Sequence, residues 1–132
     1  GKSAVFEEAA HIGHGAVIHG VHFGKKVLDR MNAVLMDDVS VGENSIIGAL
    51  SFVAANTVIP PKSLVVGNPA KVIKEVSDEM VAWKTEGTRL YQQLPTECYN
   101  TLRECEPLRE IEENRPDTQQ YFFKTWNDKK TK

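Results

Sequence analysis

Residues 12–64 read IGHGAV IHGVH FGKKVL DRMNAV LMDDVS VGENSI IGALSF VAANTV IPPKSL. The blocks begin with Ile12, Ile18, Phe23, Asp29, Leu35, Val41, Ile47, Val53 and Ile59. An apolar residue thus returns about every sixth position. A small residue follows four places later, as Ala16, Val27, Ala33, Val39, Ser45, Ser51, Thr57 and Ser63. A period of six is neither the 3.6 of an amphipathic helix nor the 2 of a half-buried strand. It is the period of a hexapeptide β-helix, in which three short strands make one triangular coil. Nine blocks predict three coils of a mainly β fold, with Ile, Val and Leu ladders inside a narrow prism. Gly13, Gly24, Gly42 and Gly48 follow first positions, where a corner is expected to need permissive dihedrals. Asn32, Asn44 and Asn56 occupy fourth places and tolerate left-handed backbone well.

Two irregularities interrupt the pattern. The step from Ile18 to Phe23 is five residues, and Asp29 stands where an apolar residue belongs. A buried, unpaired carboxylate costs several kcal/mol. Asp29 is therefore expected to turn outward, to be paired, or to sit in a shifted register.

Beyond the repeat, Val65-Val66-Gly67-Asn68-Pro69-Ala70-Lys71 carries turn residues and breaks the period. Ser77 is a candidate helix N-cap, with Asp78 and Glu79 favourable in the first turn. Val76, Met80, Trp83, Leu90 and Leu94 form a helical stripe that is expected to pack on an outer wall. Pro95 is expected to end this helix or to open the next. Cys98, Tyr99, Leu102 and Cys105 continue the apolar face, so both cysteines are expected to fill core space. On one helix their Cα atoms would be ~10.5 Å apart, too far for a disulfide. The domain expectation is a β-helix over 1–70, a helical segment over 71–106 and an irregular tail over 107–132. In that tail Tyr121, Phe122, Phe123 and Trp126 are candidates for docking on a neighbour.

With 132 residues, 41% hydrophobic and 26% charged, the chain suits one globular domain. A net charge of −2 gives no basic footprint for nucleic acid. No apolar run approaches the ~20 residues that span a bilayer. Unpaired cysteines suit a reducing, cytoplasmic setting.

All four histidines fall in HIGHGAVIHGVH, as His11, His14, His19 and His22. Imidazole is the commonest protein ligand for zinc, and a catalytic zinc takes three protein ligands plus water. The alternative is four solvated rings on an outer wall. An extended chain from His14 to His19 spans up to ~16–18 Å, whereas zinc ligands sit about 2.0–2.1 Å from the metal. A prism corner shortens the span but aims the two rings from different walls. One chain would struggle to converge both, and a neighbouring chain would meet them easily. Threefold cyclic symmetry would give three equivalent intersubunit sites.

At this point a family resemblance enters. GHGAVIHG (13–20) resembles the metal-binding segment of gamma-class carbonic anhydrases and related hexapeptide-repeat proteins. MNAVLMD (31–37), VGENSIIGA (41–49), VVGNPAKVIKEVSDEMVAWKTEGT (65–88) and EPLREIE (106–112) look like the PaaY/CaiE branch, which takes in phenylacetic-acid degradation and carnitine-operon proteins. The resemblance implies a left-handed parallel β-helix, a triangular prism with a C-terminal α-helix along it, assembled as a homotrimer. It implies zinc, or another divalent transition metal, held by three histidines at the subunit interface. The second and third match His14 and His19. The implied chemistry is attack of metal-bound hydroxide on carbon dioxide (carbonic anhydrase) or on an acyl-CoA thioester (PaaY-type thioesterase).

Three departures accompany the match. The family's first histidine ligand, an Arg–Asp pair that holds subunits together and an active-site Gln all lie upstream of the residues present. The chain therefore resembles a C-terminal portion of a longer protein, and is expected to be inactive alone. Val21 stands where relatives often carry Cys. LDRMNAV replaces an apolar-Gly-Met corner. The residues present thus offer two of three ligands; His11 or His22 could substitute, though neither matches a family ligand, and no residue can be assigned a catalytic role beyond the metal pair.

Two other readings stand beside the metal enzyme. A hexapeptide acyltransferase would use His19 as a general base without metal. A non-catalytic trimeric scaffold would use neither histidine. Glu7, Glu8, Tyr91, Lys71 and Lys74 could each serve a site, but solvated or packing roles are their default, and Trp83 is read as a core anchor of the helix.

Overall fold

A computed structural model describes residues 2–115 and 124–130. Short parallel strands wind into a β-helix of about three coils. One face joins β1 (Val5–Phe6), β4 (Val21–Phe23), β7 (Val39–Val41) and β10 (Val58–Ile59). The second joins β2 (His11–Ile12), β5 (Leu28–Asp29), β8 (Ile46–Ile47), β11 (Ser63–Gly67) and β12 (Ala70–Glu75). The third joins β3 (Val17–Ile18), β6 (Val34–Leu35) and β9 (Phe52–Val53). The solenoid thus begins one strand before the repeat read from Ile12. Phe6 stands six places earlier, and its ring stacks on Phe23 with centroids 5.5 Å apart.

The register explains the period. Ile18 pairs with Leu35 and Leu35 with Val53, while Phe23 pairs with Val41 and Val41 with Ile59. Each first-position side chain therefore sits on its equivalent in the next coil. Phe23, Leu35, Val41, Ile47, Val53 and Ile59 are buried, as are Val27, Ala33, Val39, Ser45, Ser51 and Ser63, each four places after a first position. Ser45 donates its hydroxyl to the Pro60 carbonyl and accepts the Ser63 amide.

The corner chemistry divides the labour differently from expectation. Left-handed backbone falls at Ala9, Gly15, Lys26, Asn32, Asp38, Asn44, Leu50, Asn56 and Lys62, six apart except from Gly15 to Lys26, where the short corner His19–Gly20 has none. The asparagines are there, as read. Gly13, Gly24, Gly42 and Gly48 are not. Their role is close approach: a Cβ on Gly13 would lie 2.6 Å from the Arg30 carbonyl carbon, and one on Gly42 2.3 Å from Pro61 N.

Asp29 overturns its expectation. It is neither turned outward nor shifted. It is fully buried, in register between Ile12 and Ile47, and neither carboxyl oxygen has a hydrogen-bond partner. The backbone ladder holds it there: Gly13 N–H donates to its carbonyl and Arg30 N–H to that of Ile47. Moving it to the outer face would slip the strand by one residue and turn its apolar neighbours out as well. Burial pushes its pKa up to about 7.

The stretch 71–75, expected to open a helical segment, is instead strand. β12 pairs antiparallel with β11, Gly67 against Ala70 and Val65 against Val72. The hairpin gives the last coil a partner for its exposed edge, as β-branched Val72 and Ile73 suit. Helix α1 (Asp78–Thr101) follows. Ser77 caps it through its hydroxyl to the Met80 amide, with Asp78 and Glu79 in the first turn. The helix runs through Pro95 rather than stopping there. Two compact units divide at Thr88/Arg89. In the second, Tyr99 and Leu102 are exposed, and so are Cys98 and Cys105, which therefore do not fill a core among the described residues. Residues 102–115 form neither helix nor strand, and α2 (Trp126–Lys130) is one short turn of helix. Tyr121, Phe122 and Phe123 lie outside the described residues.

Two predictions follow from coil stacking. Asp29 binds its proton more tightly folded (pKa about 7) than unfolded (about 4), so stability is fullest below about pH 4 and is lost as pH rises through 7. The loss is on the order of 4 kcal/mol. Asp29→Val should raise Tm at pH 8 and flatten this slope in urea titrations at several pH values. Gly13→Ala should lower stability by roughly 2 kcal/mol or more, because the obstacle is backbone.

Candidate functional site

The prism sorts the four histidines. His11 lies on β2, His14 in the turn after β2, His19 at the corner after β3 and His22 on β4. His14 and His19 therefore occupy successive corners and are not brought together within one chain. Among the described residues no three His, Cys, Asp or Glu side chains converge to hold a metal.

His11 and His22 are engaged locally. The Thr88 hydroxyl donates to the Lys84 carbonyl, so its oxygen accepts from His11 Nδ1 at 2.9 Å. Burial, with the charges of His14 and Lys84, holds the His11 pKa below its ordinary value. His22 Nε2 lies 2.8 Å from Glu7 Oε1, the glutamate read as solvated loop.

His14 and His19 are exposed, as is His22, whereas His11 is half-buried. No hydrogen bond or ion pair holds the His14 ring among the described residues. His19 is 68% exposed, and its Nδ1 lies 2.9 Å from Asp37 Oδ1. Asp37 went unnoticed in the sequence. The signal was the five-residue step: Ile18 pairs with Leu35 and Val21 with Val39, so the two-residue corner His19–Gly20 stacks against the three-residue corner Met36-Asp37-Asp38. The additional residue places a carboxylate over the shorter corner.

These donors fit a shared divalent metal in their chemistry. Metal-bound histidines commonly donate their second ring N–H to a carboxylate, as His19 does to Asp37. Two exposed imidazoles on different corners also suit ligands contributed by different subunits. The same pair resembles a general base with its orienting carboxylate.

The helix start is pinned by polar groups as well as by Val76 and Met80. Lys84, unremarked in the sequence, is buried and donates Nζ to the Lys26 carbonyl, and burial lowers its pKa to about 8. Trp83, read as the anchor, is only half-buried. Lys62 Nζ meets Asp78 at 2.8 Å near the N-cap.

No family model matches the chain. Over 112 residues, 85% of its length, it is 45% identical to the carnitine operon protein CaiE of Escherichia coli K12 and 44% identical to that of Salmonella agona. The match covers 57% of each relative, so the chain spans little more than half the length of these curated relatives. Among solved structures it is similar to a presumptive acetyltransferase of Bacillus cereus, at 32% identity and TM-score 0.68, over 72% of this chain and 55% of that one. A hexapeptide transferase family protein of Anaplasma phagocytophilum shares the fold, with TM-score 0.68 at 22% identity over 71% and 57%. No helix among the described residues is long and apolar enough to cross a membrane.

Thr88→Val should test whether His11 is structural. It should lower stability by about 1 kcal/mol in urea unfolding, the worth of an ordinary hydrogen bond, and leave divalent-metal binding unchanged.

Proposed function

We propose that the chain assembles as a homotrimer sharing divalent zinc between His14 of one subunit and His19 of its neighbour, to add water to a carbonyl carbon. The substrate class is carbon dioxide/bicarbonate or an acyl-CoA thioester. One observation carries this reading: the two histidines that match the family's ligands are both exposed, and His19 is seated on a carboxylate through Nδ1.

A bound zinc supplies hydroxide near neutrality by lowering the pKa of water to ~7. The chain's own residues do the rest. His14 and His19 offer imidazole nitrogens from separate corners, so no site is complete without a second subunit. Asp37 holds the His19 ring. Glu7 holds His22 through Nε2, which leaves that ring only Nδ1 to offer. His11, held below its ordinary pKa and hydrogen-bonded to Thr88, ties the first coil to the third turn of α1. The similarity to CaiE over 85% of the chain supports the family from which the reading comes.

A second reading is acyl transfer from an acyl-CoA to a hydroxyl or amine. The likeness to the Bacillus cereus acetyltransferase at 32% identity favours it. There His19, oriented by Asp37, takes the acceptor's proton as it attacks the thioester carbonyl, with no metal.

Metal content and chelation separate the two. With zinc supplied at neutral pH, the metal reading expects stoichiometric metal that His14→Ala or His19→Ala each abolishes. The chain, lacking the family's first ligand, is expected to be inactive alone; any hydration or thioester hydrolysis it does show should be removed by a chelator and restored by zinc. Metal-free protein that transfers acyl groups, unaffected by chelator, would reject it in favour of the transferase.

A further inference from the structure

We infer that Asp37 is the positioning residue of this site: it fixes the His19 ring as the Nδ1–H tautomer and so presents the Nε2 lone pair to the shared metal. The inference rests on the metal reading above and adds to it a residue on a different coil.

A neutral imidazole carries one ring proton, and the hydrogen bond at one nitrogen decides what the other can do. An ionised carboxylate only accepts. With Asp37 Oδ1 at 2.9 Å, the proton is on His19 Nδ1 and the lone pair on Nε2. A metal requires that lone pair. Without Asp37 an exposed ring would be free to place its proton on Nε2 and to rotate.

The carboxylate is itself held. Its Oδ1 also accepts the Gly20 amide at 3.3 Å, so one oxygen reads both residues of the short corner. Gly20 leaves room for it, since a Cβ there would lie 2.9 Å from Asp37 Oδ1. The strand register on either side, Ile18 against Leu35 and Val21 against Val39, fixes the two corners relative to each other. His22 supplies the contrast within the same segment. There Glu7 engages Nε2 rather than Nδ1. Two carboxylate–histidine pairs thus leave opposite nitrogens available, and only His19 offers Nε2.

The test uses metal-free chain at about pH 8, where an ordinary imidazole is neutral. Nitrogen NMR of the ring reports the tautomer directly, and competition against a chromophoric chelator reports zinc affinity. Wild type should show Nδ1–H at His19. Asp37→Ala should shift it towards Nε2–H and weaken zinc binding ten- to a hundredfold. Asp37→Asn keeps an acceptor oxygen, so it should retain the Nδ1–H tautomer and lose less affinity than the alanine variant. An Nε2–H ring in wild type, or an unchanged tautomer and affinity in Asp37→Ala, would overturn the proposal. Absence of zinc binding by wild type would instead reject the metal reading and the ligand named here. The ring spectra would then still decide whether Asp37 sets the tautomer, so the two failures are read separately.

Discussion

The structure depends on the stacking of one coil on the next in strict register. Each strand is only two or three residues long over most of the prism, too short to hold an orientation alone. Its position comes from the hydrogen bonds to the coils before and after it, and from a first-position side chain seated on its equivalent. That constraint sets the glycines, whose missing Cβ atoms let corners nest. It also sets the fate of Asp29, which the ladder keeps inside although its carboxyl has no partner. The same constraint carries a carboxylate from the second coil onto a histidine of the first.

Much of the fold was legible because the period and the stacking are the same fact. Apolar first positions, small residues four places on, the asparagine corners and the Ser77 cap all follow from side-chain size or backbone preference at a fixed spacing. Where local preference competes with the ladder, the sequence misleads. Asp29 looked unburiable, yet one side chain cannot outweigh the register of the coils around it. The glycines looked conformational and are steric. Residues 71–75 looked like an approach to a helix, yet pair back on β11 because the last strand needs a neighbour. Pro95 looked like a stop, yet lies inside α1.

The site was legible in part. His14 and His19 stood out by clustering and by their match to a known segment. Asp37 did not, because it is 18 residues from His19 and becomes its neighbour only through the coil. The five-residue step that looked like a defect is what makes them meet. Lys84 and Thr88 were hidden for a similar reason: a lysine and a threonine on a helix read as solvated until the wall they face is known.

The central claim is that His14 and His19 act on one metal from two different subunits. Subunit mixing tests it most directly. His14→Ala and His19→Ala chains are each purified metal-free, then mixed, exchanged and given zinc. The account predicts that neither alone binds zinc and that the mixture does, because an interface pairing His14 of one variant with His19 of the other is intact. A mixture as metal-free as its parents would contradict a site shared between subunits.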